Sequence, residues 1–213
     1  MQEQSTNKPV SLEGLRLISI GKDISKELVR KSLHLLIACT PTLANLLGTY
    51  NTILLLALGI FVYNAAEYLR LKGIRVPFIS RLTEIAMRQR DQGHFVLGPI
   101  TLGLGAMLSL MLYPEPAATV AIYALAFGDG LSSVAGKVFG TIRIPFTGGK
   151  SVEGSLTCFI AVLLAIVFMV PSIPPSQAAL IALIACGLEV LPSKDFDNII
   201  LPVGVGLATV LLT

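Results

Sequence analysis

Charged residues are scarce in this chain, and tryptophan is absent. Only 14% of the 213 residues are charged, whereas a soluble domain has roughly a quarter. Without tryptophan, any aromatic belt at a membrane interface depends on tyrosine and phenylalanine. Hydrophobic residues make up 54% of the chain, and its mean hydropathy is +0.77. This composition excludes an ordinary soluble domain and indicates a membrane protein.

Metal-type cysteine spacing is also missing. The three cysteines, Cys39, Cys158 and Cys186, lie in apolar runs, and we interpret them as small buried hydrophobic residues. The first 26 residues are polar and lack the short apolar run and small-residue cleavage site of a signal peptide. We therefore expect a polar cytosolic segment at residues 1–26, followed by a single transmembrane domain at residues 27–213.

Seven apolar stretches alternate with short polar segments in this domain. A membrane-spanning helix needs about 20 apolar residues to cross about 30 Å of hydrocarbon. The pattern predicts an all-α, polytopic transmembrane helical bundle of about seven spans. The last three spans are short, and the final pair is alternatively a re-entrant hairpin. The predicted spans cover residues 28–47, 52–71, 95–113, 117–134, 155–170, 177–191 and 199–212.

The basic residues all lie on one side of these spans. Every one of the 16 lysines and arginines falls in the N-terminal segment or in the segments after the second, fourth and sixth spans. The intervening loops, at residues 48–51, 114–116 and 171–176, contain none. The positive-inside rule therefore places the N-terminus in the cytosol. We expect an integral protein of the inner, cytoplasmic membrane whose active site faces the cytosol.

The segment at residues 78–92 has a different pattern. Its apolar side chains share one helical face, while Arg81, Glu84 and Arg88 share another. Such a pattern is typical of an amphipathic helix at the cytosolic interface. The helix either anchors among lipid headgroups or brings Arg81 and Arg88 to a phosphate.

Four ionisable residues interrupt the predicted spans: His34, Glu67, Asp129 and Glu189. Such residues are costly in a membrane and usually face a cavity or a partner. At about 1.5 Å per residue, all four fall in the cytosolic third of the membrane, with Asp129 about 18 Å from the outer end of its span. Glu67 alternatively pairs with Arg70, one turn further on. The glycines that flank Asp129 permit a broken helix or the close approach of a ligand. The common depth predicts one shared polar site.

A glycine-rich segment follows Asp129. Its glycines expose N–H groups that bind anions, its lysines neutralise phosphate, and its carboxylate suits Mg²⁺. A Walker A loop is excluded because Ile144 occupies the position of the first glycine. The segment therefore predicts a nucleotide phosphate site, while helix packing and positive-inside lysines are the structural alternative. A second polar cluster, in the last predicted cytosolic turn, contains Asp195, Asp197 and Asn198, of which the last two suit a metal or a hydroxyl group.

These pieces together resemble the membrane lipid-alcohol kinases, a family that includes dolichol kinase, phytol kinase and the CTP-dependent diacylglycerol kinase of yeast. The resemblance covers the chain from about residue 27 to the end. It is carried by Arg30-Lys31 with His34, Glu67 with Arg70, Gly128-Asp129, Gly136, Lys137 and Gly140, Lys150-Ser151 with Glu153-Gly154, and Glu189 followed by Asp197-Asn198 and Pro202.

The resemblance implies transfer of the γ-phosphoryl group from CTP, with Mg²⁺, to the hydroxyl of a membrane lipid alcohol such as a polyprenol, phytol or diacylglycerol. The domain at residues 27–213 is then catalytic. The implied catalytic residues are Asp129, Lys150, Glu153 and Asp197. The implied Mg²⁺ ligands are Asp129, Glu153 and Glu189. The implied nucleotide-binding residues are Gly136, Lys137, Gly140, Gly148, Gly149, Ser151 and Gly154. The implied lipid-binding residues are Arg30, Lys31, His34, Glu67 and Asn198.

Three points stay open at this level. The proton of the alcohol is accepted by Asp197, Glu67 or His34. Cytidylyl transfer to phosphatidate is an alternative chemistry, which releases pyrophosphate where a kinase releases CDP. An ion-coupled transporter is an alternative of another class, although its sites are expected near the midplane of the membrane. No nucleic-acid partner is expected.

Reporter fusions test the predicted topology. With seven spans, a reporter fused after Thr213 lies outside the cytosol and one inserted near Arg75 lies inside it, because the basic segments stay cytosolic. Paired alkaline phosphatase and green fluorescent protein fusions measure both positions. A cytosolic C-terminus contradicts the count of seven and favours the re-entrant pair.

Overall fold

The computed structural model describes residues 12–192 and 195–213, and side chains from residue 24 onward. Residues 1–11 of the predicted polar segment and Lys194 of the last basic segment lie outside the described residues. Within them the chain forms ten α-helices and, between α6 and α7, a π-helical stretch (Ala124–Asp129). The helices are α1 (Leu12–Ile37), α2 (Thr40–Leu47), α3 (Thr49–Leu71), α4 (Ile79–Ala86), α5 (Gly98–Leu112), α6 (Ala117–Tyr123), α7 (Gly130–Val138), α8 (Val152–Met169), α9 (Pro175–Glu189) and α10 (Asp197–Leu212).

Three helical stretches of the described chain are long and apolar enough to cross a membrane: Thr49–Leu71, Ala117–Val138 and Val152–Met169. The apolar helices Gly98–Leu112, Pro175–Glu189 and Asp197–Leu212 are shorter. The all-helical prediction is confirmed for the described residues, and these helices have the composition of a membrane protein. The count of seven spans and the cytosolic N-terminus stay predictions.

The first predicted span is wrong in its continuity. Instead of one helix over residues 28–47, α1 ends at Ile37 and α2 begins at Thr40. Pro41 occupies the first turn of α2, where a proline is tolerated, whereas inside a helix it removes a hydrogen bond and clashes with the preceding turn. The amphipathic helix predicted for residues 78–92 is also shorter, because α4 ends at Ala86 and a single 3₁₀ turn follows at Gln89–Asp91.

The stretch Ala117–Val138 lies at the centre of the bundle. Of the 18 most apolar consecutive residues in this stretch, 72% are buried, whereas the corresponding share for Thr49–Leu71 is 17%. Its buried residues are mostly small, including Ala117, Ala118, Ala121, Ala124 and Ala126. In a membrane the association of helices depends on close packing more than on a hydrophobic driving force, and small residues allow that approach. The central helix therefore holds its neighbours by contact at short range.

The helices α5 and α10 pack closely beside this centre. Asn198 of α10 donates a hydrogen bond from Nδ2 to Thr101 Oγ1 of α5 at 2.9 Å. Further along, the Tyr113 hydroxyl donates to the Val203 carbonyl at 2.6 Å. Between them, a Cβ atom at Gly105 would collide with the Asn198 backbone. This glycine therefore sets the distance between the two helices.

We expect Gly105→Ala to destabilise the protein by about 1–3 kcal/mol, because the added methyl group overpacks a backbone contact. Gly187→Ala in α9 is the matched control, since a Cβ atom there meets nothing within 4 Å. Thermal unfolding in detergent measures both variants. Equal melting temperatures for the two would contradict the close α5–α10 approach.

Candidate active site

One face of α1 contributes a carboxylate, an ammonium group and an imidazole to the interior of the protein. Glu27, Lys31 and His34 lie four and three residues apart, so they share a helical face. All three are buried, while Arg30 beside them is partly exposed. This face packs against α7 and the π-helical stretch.

Asp129 ends the π-helical stretch and is 2% exposed. Its Oδ2 accepts a hydrogen bond from Lys31 Nζ at 2.5 Å, and His34 Nδ1 lies 3.1 Å from the same oxygen. A π-helical turn inside an α-helix is frequent at functional sites. The glycines beside Asp129 thus accompany a widened turn rather than a break in the helix. The negative charge predicted to hold Mg²⁺ is balanced by Lys31 in this structure.

Two further lysine–carboxylate pairs surround the same region. Lys137 of α7 pairs with Glu27, which also accepts from Arg30. Lys150, in the loop before α8, pairs with Glu189 at the end of α9. Glu189 accepts two more hydrogen bonds, from the hydroxyl groups of Ser132 and Ser155, both at 3.3 Å. The cations predicted to bind phosphate are therefore compensated by buried acids of the protein.

Lys150 and Arg88 both lie outside the helices and keep their positive charge although they are partly buried. Burial alone would lower the pKa of Lys150, but the carboxylates of Glu189 and Asp129 outweigh it and hold the pKa above its ordinary value. Burial, together with Arg30 and Arg90, lowers the pKa of Arg88. A guanidinium nevertheless stays protonated at physiological pH, because its ordinary pKa exceeds about 12.

The glycines of the predicted phosphate segment divide into two kinds. Gly148 and Gly149 have φ angles of +72° and +100°, and a Cβ atom at either would meet nothing within 4 Å. They form an open, left-handed turn, a conformation that glycine adopts without steric cost. Gly140 and Gly154 instead pack around Ser151, where a Cβ atom would collide with neighbouring atoms. The first pair suits a ligand, and the second pair has a packing function.

Glu153 and Glu67 each bind a nearby backbone segment. Glu153 Oε1 accepts from the hydroxyl and N–H groups of Thr141 and from the Ile142 N–H group, which ties α8 to the glycine-rich loop. Glu67 accepts two hydrogen bonds from Arg70 at 2.7 Å and one from the Val96 N–H group at 2.9 Å. The predicted Glu67–Arg70 pair is confirmed.

A polar cavity of about 550 Å³ opens beside the glycine-rich loop. Its lining includes cations, acids and open backbone from α1, α7, the loop and α9, among them Glu27, Lys137, Gly148, Gly149, Lys150 and Glu189. An apolar groove of about 420 Å³ runs between α1, α3, α4 and α5. Its lining includes Leu33, Leu58, Val62, Leu82, Pro99 and Leu102.

The polar cavity and the apolar groove meet at one place. Arg30, Arg88 and Asp197 are the described residues that line both. Asp197 is the first residue of α10, and its Oδ1 accepts from the Asn198 N–H group at 2.9 Å. Among the described residues no cation forms an ion pair with Asp197, in contrast to Glu27, Glu67, Asp129 and Glu189. Within the described residues, the junction therefore has a carboxylate that is not paired with a cation.

The structure brings most of the predicted site residues together. The polar cavity is lined by Arg30, Gly136, Lys137, Gly148, Gly149, Lys150, Ser151, Gly154, Glu189 and Asp197. The apolar groove is lined by Arg30, Lys31, His34, Asp197 and Asn198. Glu67, Asp129, Gly140 and Glu153 line neither. Sequence reasoning missed Glu27, and its only signal was the four-residue spacing to Lys31.

We expect Asp129→Asn to cost about 3–5 kcal/mol of stability, because Lys31 is then buried without its counter-charge. Adding Lys31→Met should recover most of this loss, since methionine fills a similar volume without charge. Unfolding in detergent, measured for both single variants and the double variant, gives the coupling. Independent, additive effects would contradict a direct role for the pair in stability.

Comparison with known proteins gives relatives but no family model and no solved structure. None of the family models matches the chain, and no solved structure does. Probable phytol kinase 1 of Oryza sativa subsp. japonica is 26% identical over 66% of this chain and 50% of its own length. Phytol kinase 1 of Arabidopsis thaliana is 24% identical over 66% of this chain and 52% of its own length. Dolichol kinase EVAN of Arabidopsis thaliana is 25% identical over 91% of this chain and 37% of its own length.

The chain thus spans about half the length of the phytol kinases that it matches, and less of the dolichol kinase. These relatives are named for the phosphorylation of a lipid alcohol, which is the activity of the family that the sequence resembles. The chain is therefore similar to phytol and dolichol kinases, at 24–26% identity.

Proposed function

We propose that this protein transfers the γ-phosphoryl group of CTP to the hydroxyl of a membrane lipid alcohol. The observation that carries the proposal is the meeting of a polar, lysine-lined cavity with an apolar groove at Arg30, Arg88 and Asp197. A charged donor and an apolar acceptor need separate binding sites whose reacting ends meet. Kinase names among the relatives support the same reaction.

The triphosphate binds in the polar cavity under this proposal. Lys137 and Lys150 neutralise phosphate oxygens after exchanging their carboxylate partners for the nucleotide. The open turn at Gly148 and Gly149 presents backbone N–H groups to an anion. Arg88, which also pairs with Asp195 at 3.1 Å, reaches the terminal phosphate at the junction.

The residues of the cavity fit Mg²⁺ bound together with a nucleotide. Among the residues that the structure describes, no group of three or more His, Cys, Asp or Glu side chains is placed to hold a metal. Nucleotide-bound Mg²⁺ needs only one or two protein carboxylates, because phosphates and water complete its shell. Of the three predicted ligands, Glu189 lines the polar cavity, whereas Asp129 and Glu153 do not. Mg²⁺ would supply charge neutralisation to the phosphate, and Glu189 is the residue best placed to hold it.

The lipid alcohol binds in the apolar groove with its hydroxyl at Asp197. Asp197 suits the proton acceptor better than the other two candidates. Glu67 is engaged by Arg70 and the Val96 N–H group, and His34 lies against Asp129. In the reaction Asp197 takes the hydroxyl proton, the oxygen forms a bond to the γ-phosphorus, and the bond to the β–γ bridging oxygen breaks. The nucleoside diphosphate leaves with that electron pair. Positioning and charge neutralisation provide most of the catalysis in such transfers.

Labelled nucleotide tests the function directly. The full chain in lipid nanodiscs is incubated with Mg²⁺, with CTP or ATP labelled on the γ-phosphate, and with phytol, a polyprenol, diacylglycerol or phosphatidate. We expect a labelled lipid phosphate together with the nucleoside diphosphate. Release of pyrophosphate with a cytidylyl-lipid from phosphatidate would instead establish the alternative chemistry. Absence of any labelled lipid, with every alcohol and both nucleotides, contradicts the proposal.

We expect Asp197→Asn to lower kcat by about 10²–10⁴, the usual contribution of a general base. The KM for the nucleotide should change little, because the amide keeps the size of the side chain and the lysines remain in place. Glu115→Gln is the control, since Glu115 lies in the loop before α6 and lines neither the polar cavity nor the apolar groove. Steady-state kinetics on both variants provide the measurement, and a normal kcat for Asp197→Asn would exclude it as the base.

A further inference from the structure

The apolar groove continues along one partly exposed face of α3. Leu55, Leu58, Gly59, Val62 and Tyr63 all line it. Their spacings of three, one, three and one residues place them on a single helical face. At about 1.5 Å per residue, this face extends the groove about 12 Å along the helix axis. The groove is therefore longer than a pocket for a hydroxyl group alone would need to be.

Gly59 interrupts this wall of large side chains. It lies in the middle of α3, where glycine is less favourable than alanine because of its conformational entropy. A Cβ atom at Gly59 would meet nothing within 4 Å, whereas one at Gly103 would approach the Ile60 side chain at 2.9 Å. Contact between helices therefore explains the glycine at position 103 but not the one at position 59. Gly59 is exposed and lines the groove, so the space in front of it belongs to the open side of the groove.

The composition of the groove defines what fits there. Arg88 and Asp197 line the groove where it meets the polar cavity, whereas its α3 wall consists of leucine, glycine, valine and tyrosine. A polar ligand would lose hydrogen bonds along such walls, whereas a hydrocarbon loses none. Leu55 and Leu58 are 48% and 58% exposed, so the groove opens sideways through the surface that α3 presents. A chain attached to an alcohol at Asp197 has a continuous apolar path to this opening.

We propose that Gly59 is a specificity-determining residue, whose missing side chain lets the hydrocarbon tail of the alcohol substrate extend past Tyr63 toward Leu55. This inference rests on the proposed function for the identity of the substrate. Short alcohols end before Gly59 and do not depend on it. Long isoprenoid alcohols pass it, and their methyl branches fit the notch that the glycine leaves.

Bulk at position 59 provides the test. Gly59→Phe and Gly59→Leu fill the notch, while Gly59→Ala adds a single methyl group. Ala57→Phe is the matched control, because Ala57 is exposed on the same helix and does not line the groove. A series of isoprenoid alcohols from geraniol through phytol to solanesol is compared. Binding of radiolabelled alcohol to nanodiscs is measured without nucleotide, and kcat/KM is measured with it.

We expect Gly59→Phe to lower affinity and kcat/KM for the long alcohols by about tenfold or more, since a pocket discriminates by about that factor for a misfitting group. Geraniol should bind and react as in the parent protein, Gly59→Leu should show a smaller loss of the same kind, and Ala57→Phe should change nothing. A loss equal for all chain lengths, or no loss, overturns the inference. Geraniol binding also reports folding, and Gly59→Leu replaces Gly59→Phe if the latter does not fold.

The two readouts separate this inference from the proposed function. Length-dependent binding without phosphoryl transfer supports the role of Gly59 and contradicts the kinase. Phosphoryl transfer that is independent of bulk at position 59 supports the kinase and overturns the role of Gly59. A parent protein that binds none of the alcohols overturns both.

Discussion

The buried pair of Lys31 and Asp129 is the constraint on which the rest of the site depends. Neither charge is tolerated alone in an apolar interior, because an unpaired buried ion is strongly destabilising. The pair joins α1 to the end of the π-helical stretch in the central helix. It thereby brings Arg30 and His34 to the region where α7, α9 and the glycine-rich loop converge. Together with the pair of Glu27 and Lys137, it fixes the position of the α1 face that lines both cavities.

Charge compensation has a consequence for ligand binding. Lys31, Lys137 and Lys150 each pair with a buried carboxylate of the protein. A triphosphate that enters the polar cavity therefore exchanges one set of negative partners for another, instead of meeting free cations. The net gain depends on the geometry of the new contacts, since buried ion pairs contribute little net stability over their desolvation cost.

The glycines of this protein serve separate purposes that their sequence context does not distinguish. At Gly105 and Gly140 a side chain would collide with backbone, so glycine permits close packing. At Gly148 and Gly149 the backbone takes positive φ angles in open space, which leaves N–H groups available to an anion. At Gly59 the open space belongs to the apolar groove. The spacing of the glycines in the sequence does not separate these three purposes.

The sequence by itself determined the helical class, the positions of most apolar helices and many of the residues that line the two cavities. Hydrophobic runs report helices because the backbone must satisfy its own hydrogen bonds in a membrane. Isolated charges such as Asp129 and Glu189 report a site because they are costly there. Even the break before Pro41 had a local signal in the sequence.

Only the tertiary structure decided which of these residues act together. The sequence did not identify Glu27 as a site residue, because its partner Lys137 lies far along the chain. Glu153 and Glu67 had the residue type of ligands, but their carboxylates are taken by nearby backbone groups. Asp197 differs from Glu27, Glu67, Asp129 and Glu189 through the absence of an ion pair within the described chain. Pairing and cavity shape arise between helices, and a linear pattern contains no distances between them.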